Sequence, residues 1–489
     1  MITDGRTPAG AFNIREATTF YVDAVNGNDA TADGTTEATA FKTLVAALAA
    51  AKPGDTVVAL PGTYAEGTAV PTKAQSGMTE EMTIAARAVV PSRVTLESRD
   101  GPESTVIEGA RATVDANAYG CGADAVRCVF LCQFATVRGF TLYNGHTESG
   151  GTSYANTVDT RGGGVSVATA SSVANGKNSF VENCVITNCS AARGAGGYCG
   201  TYRKCKFFDN DAPKPGTALY WGVVEGCFFD NNTGHSVIYK SPVWNSTILA
   251  TAKGNIAAVN NEGTRSDTEQ PVVNTILGTT SFVSSNLVNC AYSRAAHNRW
   301  QDAPNVSPAV GDLLIGSDGV PLAGSVAIDA GDASQTPASL GDTDLAGGQR
   351  VYNGRMDIGC YEFDWRPKYA ADLGKGVAVA SASPEVYEGA GGVVTLPGGS
   401  LEAGWSNATG KKRGYSGTMR VTGTGTLTVT RNGESFRTVT SADGEQTFQF
   451  FSTAALEELV FAYAPGENDD GAALLSGFAI GNGFMLILR

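Results

Sequence analysis

Val181-Glu182-Asn183-Cys184-Val185-Ile186, Tyr202-Arg203-Lys204-Cys205-Lys206-Phe207 and Val224-Glu225-Gly226-Cys227-Phe228-Phe229 are three copies of one block, and Val243-Trp244-Asn245-Ser246-Thr247-Ile248 is a weaker fourth. Their starts lie 21, 22 and 19 residues apart, the length of one coil of a parallel β-solenoid. After each of the first three blocks the chain turns at polar residues: Asn188-Cys189-Ser190, Asp209-Asn210-Asp211 and Asn231-Asn232-Thr233. Small-residue or aliphatic segments follow, Gly194–Tyr198, Gly216–Tyr220 and His235–Tyr239. Each coil therefore holds at least two strands with a corner between them. A single coil cannot close a core, so the coils must stack.

The rest of the composition agrees with a solenoid and narrows its partners. A chain of 489 residues exceeds one ordinary core, so at least two modules are expected. Gly 61 with only 17% charged residues is the texture of a turn-rich, extracellular-type β protein. A net charge of −13 argues against nucleic acid and against anionic membrane as general partners. It also counts against a polyanionic glycan unless a local basic groove overrides it. No apolar run approaches the roughly 18 residues of a membrane span. Met1 to Phe20 shows no basic start, apolar run and small-residue cleavage site, so no signal peptide is visible there. Of the ten cysteines, Cys184, Cys205 and Cys227 share one slot of the repeat and are expected to form a reduced, buried column. Cys121, Cys128 and Cys132 cluster without ligand-rich neighbours, and three histidines in the whole chain exclude a zinc site.

Ahead of the repeats, residues 1–18 read as a lead, and Thr19-Phe20-Tyr21-Val22 as the first strand. Phe41, Leu44, Val45 and Leu48 mark an amphipathic helix within 35–54, stopped by Lys52-Pro53-Gly54-Asp55. Such a helix is placed to close the exposed core of a first coil. Tyr21-Val22-Asp23 with Asn26-Gly27-Asn28-Asp29, Ala40-Phe41-Lys42-Thr43-Leu44, Pro61-Gly62-Thr63-Tyr64, Gly101–Gly109 and Val137–Gly145 resemble the opening coils of right-handed parallel β-helix proteins of the pectate-lyase-like superfamily. The blocks from 181 are similar to the repeats of polymorphic outer membrane proteins. The resemblance covers roughly 20–365 and implies a fold, while fold alone does not set function.

Between Thr147 and Lys177 a Gly/Ser/Thr/Ala-rich insertion precedes the strand in Arg161-Gly162-Gly163-Gly164-Val165-Ser166-Val167. Further coils run through Val272–Leu277 and Ser285–Cys290. Within 306–363, Ala327–Asp332 and Met356–Phe363 resemble the choice-of-anchor Q end segment of secreted bacterial β-helices. Residues 366–376 read as a linker. From 377 to 489 short alternating strands, with the hairpin signal Arg431-Asn432-Gly433-Glu434, read as an antiparallel β-sandwich that loosely resembles jelly-roll modules. The expected fold is thus all-β: a right-handed parallel β-helix with an N-terminal capping helix over 19–365, then a jelly-roll-like β-sandwich.

Function on a β-helix should appear as a column of outward residues. Ser166, Tyr198, Tyr220 and Tyr239 share one outward slot, and the three tyrosines are the first candidates for stacking a glycan. A covered aromatic stack is the competing reading. Glu182, Arg203, Glu225 and Trp244 share another slot, whose alternating charges read as a structural ladder. Lys206 and Lys240 are the candidate bases for lyase chemistry, though no compact carboxylate cluster stands beside them. Pectin-hydrolysing relatives carry paired aspartates, Gly-His-Gly and Arg-x-Lys; this chain offers only Gly234-His235-Ser236 and Asp230. The oxygen-rich loop with Asp23, Asn26, Asn28, Asp29 and Asp33 suits calcium. The resulting expectation is a secreted or surface-exposed bacterial protein that binds a polysaccharide or cell-surface glycan, or adheres, without catalysis. The alternatives are a lyase acting on a uronic-acid glycan and a purely architectural surface protein, with a phage tail-spike more distant.

Overall fold

The computed structural model describes residues 15–149, 157–168, 176–249, 257–261, 270–278, 282–284, 286–292, 313–322, 325–351, 356–363, 378–382, 386–389, 392–395, 398–406, 410–464, 466 and 472–481. Most of the lead, residues 150–156 and 169–175 of the insertion at 147–177, the linker and the tail after 481 lie outside them. The chain divides into two compact units, one of residues 1–319 and 326–362, the other of 320–325 and 363–489.

The first unit is a parallel β-helix. Among the described residues, successive coils contribute strands to three long parallel sheets, of ten, eight and nine strands. Coil Phe180–Glu182, Val185–Thr187, Gly197–Tyr198 is followed in register by Thr201–Arg203, Lys206–Phe208, Leu219–Tyr220. The repeated block is therefore one strand of the first sheet, a corner, and one strand of the nine-stranded second sheet. The corner needs a left-handed residue, and asparagine, which tolerates that conformation, recurs there: Asn183, Asn245, Asn274 and Asn289 have φ of 48°, 49°, 47° and 51°. Lys204 and Gly226 fill the same place at 50° and 65°.

Alternation then sends every second residue inward. Val57, Leu96, Val137, Val181, Tyr202, Val224, Val243 and Val272 form the inward column of the first sheet and are fully buried. Phe207 and Phe229 stack at 4.6 Å inside the second sheet. The cysteine column is as expected: all ten cysteines are free and buried. Cys205 Sγ reaches Val181 O at 3.3 Å, and Cys227 Sγ reaches Tyr202 O at 3.4 Å. At the polar turn Asn210 and Asn232 form a buried ladder, Nδ2 of the first donating to Oδ1 of the second at 2.9 Å. Their amides also donate to Ile186 O and to Phe207 O and Asp230 O, so buried backbone carbonyls are satisfied from the side.

The helix is shorter than the amphipathic pattern suggested, Leu44–Ala50, because Thr43 caps its start. Leu44, Ala47 and Leu48 bury against Val22, Val57 and Ala59 of the first coils, so the helix covers the core where the pattern placed it. Among the described residues no helix is long and apolar enough to cross a membrane.

The second unit is a sandwich of two five-stranded antiparallel sheets. One runs Ala378–Ala382, Ser400–Ser406, Leu456–Ala464, Thr426–Arg431, Glu434–Val439. The other runs Val386–Gly389, Gly392–Thr395, Ala473–Gly481, Arg413–Val421, Gln446–Ser452. Counting the strands from Gly392–Thr395 onward as one to eight gives the orders 2-7-4-5 and 1-8-3-6, which is jelly-roll topology. Leu401, Leu427, Phe461 and Tyr463 of one sheet pack on Tyr415, Met419, Phe448 and Leu475 of the other. The Asn432-Gly433 turn has both residues at positive φ, 50° and 83°, as the hairpin signal required.

Candidate functional site

The tyrosine column exists but is not an open platform. Tyr198, Tyr220 and Tyr239 are in register with Ser166, and their rings stack at 6.0 and 5.2 Å. Tyr198 and Tyr220 are only 1% and 4% exposed, and Tyr239 is half-buried. Arg161 lies 4.8 Å over the Tyr198 ring and donates from Nη1 to its phenol oxygen at 2.5 Å. Arg193 lies 5.5 Å over Tyr220, and Trp221 packs on both rings. Lys240 repeats the arrangement 5.3 Å from Tyr239. Burial pushes the Tyr198 phenol well above its usual range, partly opposed by Arg161. The column is thus a stack of rings roofed by cations. Arg161 belongs to the insertion, whose Val158 and Ala168 also pack with Phe130 and Val89 on this outer face of the third, eight-stranded sheet. Of the two readings of this column, the covered aromatic stack is the one that describes Tyr198 and Tyr220.

The candidate bases are not brought together either. Lys206 opens the strand Lys206–Phe208 of the second sheet, whereas Lys240 sits at the corner after Ser236–Tyr239 of the third, with φ of 53°. His235 lies between the strands Thr233–Gly234 and Ser236–Tyr239, with a buried Nδ1 that makes no hydrogen bond.

In the N-terminal loop each acidic side chain is held by its own neighbours. Asp23 accepts from the backbone of Val25 and Asn26 and from Asn26 Nδ2. Asp29 accepts from Lys42 N, Thr43 N and Thr43 Oγ1, and Asp33 from Thr35 and Thr39. Asn28 caps Ala30 N. These hydrogen bonds hold the carboxyls of Asp23 and Asp33 below their usual range, against the opposing effect of burial at Asp23. Among the described residues no three acidic, histidine or cysteine side chains form a metal-holding group. Within the loop these carboxylates accept from neighbouring backbone and side-chain donors.

Among the described residues, the outer face of the first sheet has room for a ligand. Its outward column is longer than the repeats alone indicate: Glu97, Arg138, Glu182, Arg203, Glu225 and Trp244 are successive partners. Arg138 Nε lies 3.3 Å from Glu97. Arg203 bridges its two neighbours, Nη1 to Glu182 at 3.2 Å and Nε to Glu225 at 2.6 Å, while its guanidinium lies 4.4 Å over Phe180. Over the four coils from Phe180–Glu182 to Val243–Trp244 this face is the floor of an open groove of about 640 Å³, a volume in the range of small-ligand sites. Phe180, Thr201, Arg203, Val223, Glu225 and Trp244 form the floor, Lys177 the rim, and Ser334–Pro337 the wall.

That wall comes from the end segment, and the corner asparagines hold it. Asn245 Nδ2 donates to Thr336 Oγ1 at 3.2 Å, and Asn274 Nδ2 to Asp332 O at 2.8 Å. Asn289 Nδ2 donates to Ala330 O at 2.9 Å. Ser339 Oγ donates to Glu225 Oε2 at 2.8 Å, and Lys204 Nζ to Thr343 Oγ1 at 2.6 Å. Burial draws the Lys204 amine below its usual range, with Asp344 opposing. The residues that turn each coil thus also carry the groove's wall.

Chemically, the floor offers aromatic faces and a fixed row of acceptors and donors. Glycosidase chemistry needs two carboxyls free to act as acid and base or nucleophile; Glu182 and Glu225 instead share one guanidinium. Sequence reasoning had the ladder but not the groove. Trp244 in the same slot was the available signal, whereas the wall lies about ninety residues later in the chain.

No family model matches the chain, and no curated protein matches it. Among solved structures, the crystal structure of pectate lyase Pel9A is similar at 15% identity over 72% of this chain and 97% of that one, with a TM-score of 0.33. XylC in complex with xylose matches at 10% identity over 56% and 68%, with a TM-score of 0.26. The enzymatically active domain of bacteriophage CBA120 tailspike protein 4 matches at 10% identity over 87% and 64%, with a TM-score of 0.17. The parallel β-helix is carried by the sheet registers described above.

Proposed function

We propose that this chain is an extracellular or cell-surface β-helix protein that binds a polysaccharide along the outer face of its first sheet, without turning it over. The observation that carries the reading is the placement of Trp244 in line with Arg203 and Glu225 on the floor of an open, walled groove. An aromatic face beside fixed polar groups matches what a sugar presents, an apolar ring face edged by hydroxyls. The non-catalytic part of the reading is supported by the ladder, in which Arg203 is engaged by two carboxylates and neither carboxylate is unengaged. One feature favours the rival reading of a polysaccharide lyase: Lys177 stands at the rim as an exposed amine.

The test is a binding panel of neutral and acidic polysaccharides with the full chain and with Trp244→Ala, paired with ultraviolet detection of unsaturated products. Binding that weakens about tenfold or more in Trp244→Ala, roughly 1.4 kcal/mol, with no product, is the expected result. Sustained product release from a uronic-acid polymer would establish the lyase instead. Tyr198→Phe serves as a control, since its buried ring is predicted to leave binding unchanged.

A further inference from the structure

We infer that the groove takes a neutral, hydroxyl-rich glycan and discriminates against polyuronates. The inference rests on the reading that the groove binds a glycan, and it concerns which class. Lys177 and Arg203 bring two positive charges to the groove's lining and Glu225 one negative; Glu182, paired with Arg203 at 3.2 Å beside that lining, brings the second negative charge. The adjoining pair of the same column, Glu97 and Arg138, cancels as well. The whole chain carries −13. A polyuronate adds one negative charge per sugar, and here it meets no surplus of cations to offset the removal of those charges from water.

A neutral glycan meets none of that penalty, and the groups left over suit it. Arg203 spends Nε and Nη1 on the carboxylates and, among the described residues, makes no hydrogen bond through Nη2. Glu225 receives Arg203 and Ser339 on Oε2 alone, which leaves Oε1 to accept from a hydroxyl. Trp244 and Phe180 supply ring faces at two points along the floor, and Ser334 and Gln335 supply polar groups on the wall. Because Arg203 is held from both sides, its remaining N–H donors are fixed in place before any ligand arrives, which lowers the ordering cost of binding.

The experiment titrates the full chain with neutral oligosaccharides of xylan, glucan and mannan type, and with polygalacturonate and alginate, at low and high ionic strength. The expected result is a neutral binder whose affinity is insensitive to salt and falls at least about tenfold in Trp244→Ala, with polyuronates at least about tenfold weaker than that binder. Thermal melting of Trp244→Ala verifies that the variant is folded. A polyuronate that binds more tightly than any neutral glycan, and loses affinity with salt, with Lys177→Glu and with Trp244→Ala, overturns the class while leaving the groove as the site. Failure of both classes to bind, or binding indifferent to Trp244→Ala, overturns the groove reading itself and this inference with it.

Discussion

Replacing Arg203 by alanine separates two roles of the ladder, because the same column contains a second arginine in a different setting. Arg203 is 24% exposed and lies between Glu182, 29% exposed, and Glu225, 11% exposed. Two unit charges about 4 Å apart attract by about 4 kcal/mol at an effective dielectric near 20. Part of that gain offsets the desolvation of the groups, so the net worth of the pair is smaller. Removing Arg203 alone does not return the desolvation cost of Glu225, which is left with Ser339 as its one remaining donor. Breaking a fully buried pair costs about 3–5 kcal/mol, so a value of about 2–3 kcal/mol is expected at this partly covered site. Arg138, 48% exposed beside Glu97, is in the regime of about 0–1 kcal/mol. Thermal unfolding of the full chain should therefore show Arg203→Ala lowering the β-helix transition by several degrees, roughly 2–4 °C per kcal/mol, and Arg138→Ala by much less. Adding Glu225→Gln to Arg203→Ala should recover part of the loss by removing the stranded charge. Equal small shifts for the two arginines, with no recovery in the double variant, would refute this account of the ladder.

Three further outcomes follow from the packing. Burial pulls His146 down to about 4, with Arg111 acting in the same sense; an unfolded histidine titrates near about 6.5. The unfolded chain thus binds the extra proton first, and stability should fall as pH drops from about 6.5 to about 4, by at most about 3 kcal/mol. A His146→Gln variant should show a shallower acid limb in a pH series of melts, and an unchanged slope would contradict the assignment. A Cβ on Gly197 would collide with the Tyr202 phenol inside the core, so Gly197→Ala should cost about 1–3 kcal/mol, and a melt unchanged from the parent would show that the core yields there. All ten thiols should resist a water-soluble thiol reagent in the folded chain and react on denaturation; rapid labelling of any of them under native conditions would contradict the buried column.

Much of the fold was legible because a β-helix writes its architecture at a fixed period. Inward positions such as Val181, Tyr202 and Val224 alternate with outward ones, and the corner falls on asparagine, glycine or lysine at one slot of the repeat. The site was less legible. Period-two alternation correctly sent Tyr198 and Tyr220 to the outside of their sheet, but it carries no information about what lies on top of them. The cover of Tyr198, Arg161, comes from an insertion outside the repeat, while Tyr220 is covered by Arg193 and Trp221 from the turns of its own coils. Conversely Glu182, Arg203 and Glu225 read as a charge ladder, and the structure shows its ion pairs, while the groove above Arg203 and Glu225 depends on the end segment docking onto Asn245 and Asn274. Such long-range docking leaves no periodic trace. The earlier rung Glu97–Arg138 was readable, since Leu96-Glu97 and Val137-Arg138 repeat the apolar–charged pair of Val181-Glu182.

The groove on the first sheet is the central claim, and a crystal structure of the full chain soaked with a neutral oligosaccharide that binds in solution tests it most directly. The account predicts sugar density over Trp244, beside Arg203 Nη2 and Glu225 Oε1 and against Ser334–Pro337. Density on the face of Tyr239, on the sandwich, or anywhere else with this groove empty would contradict it.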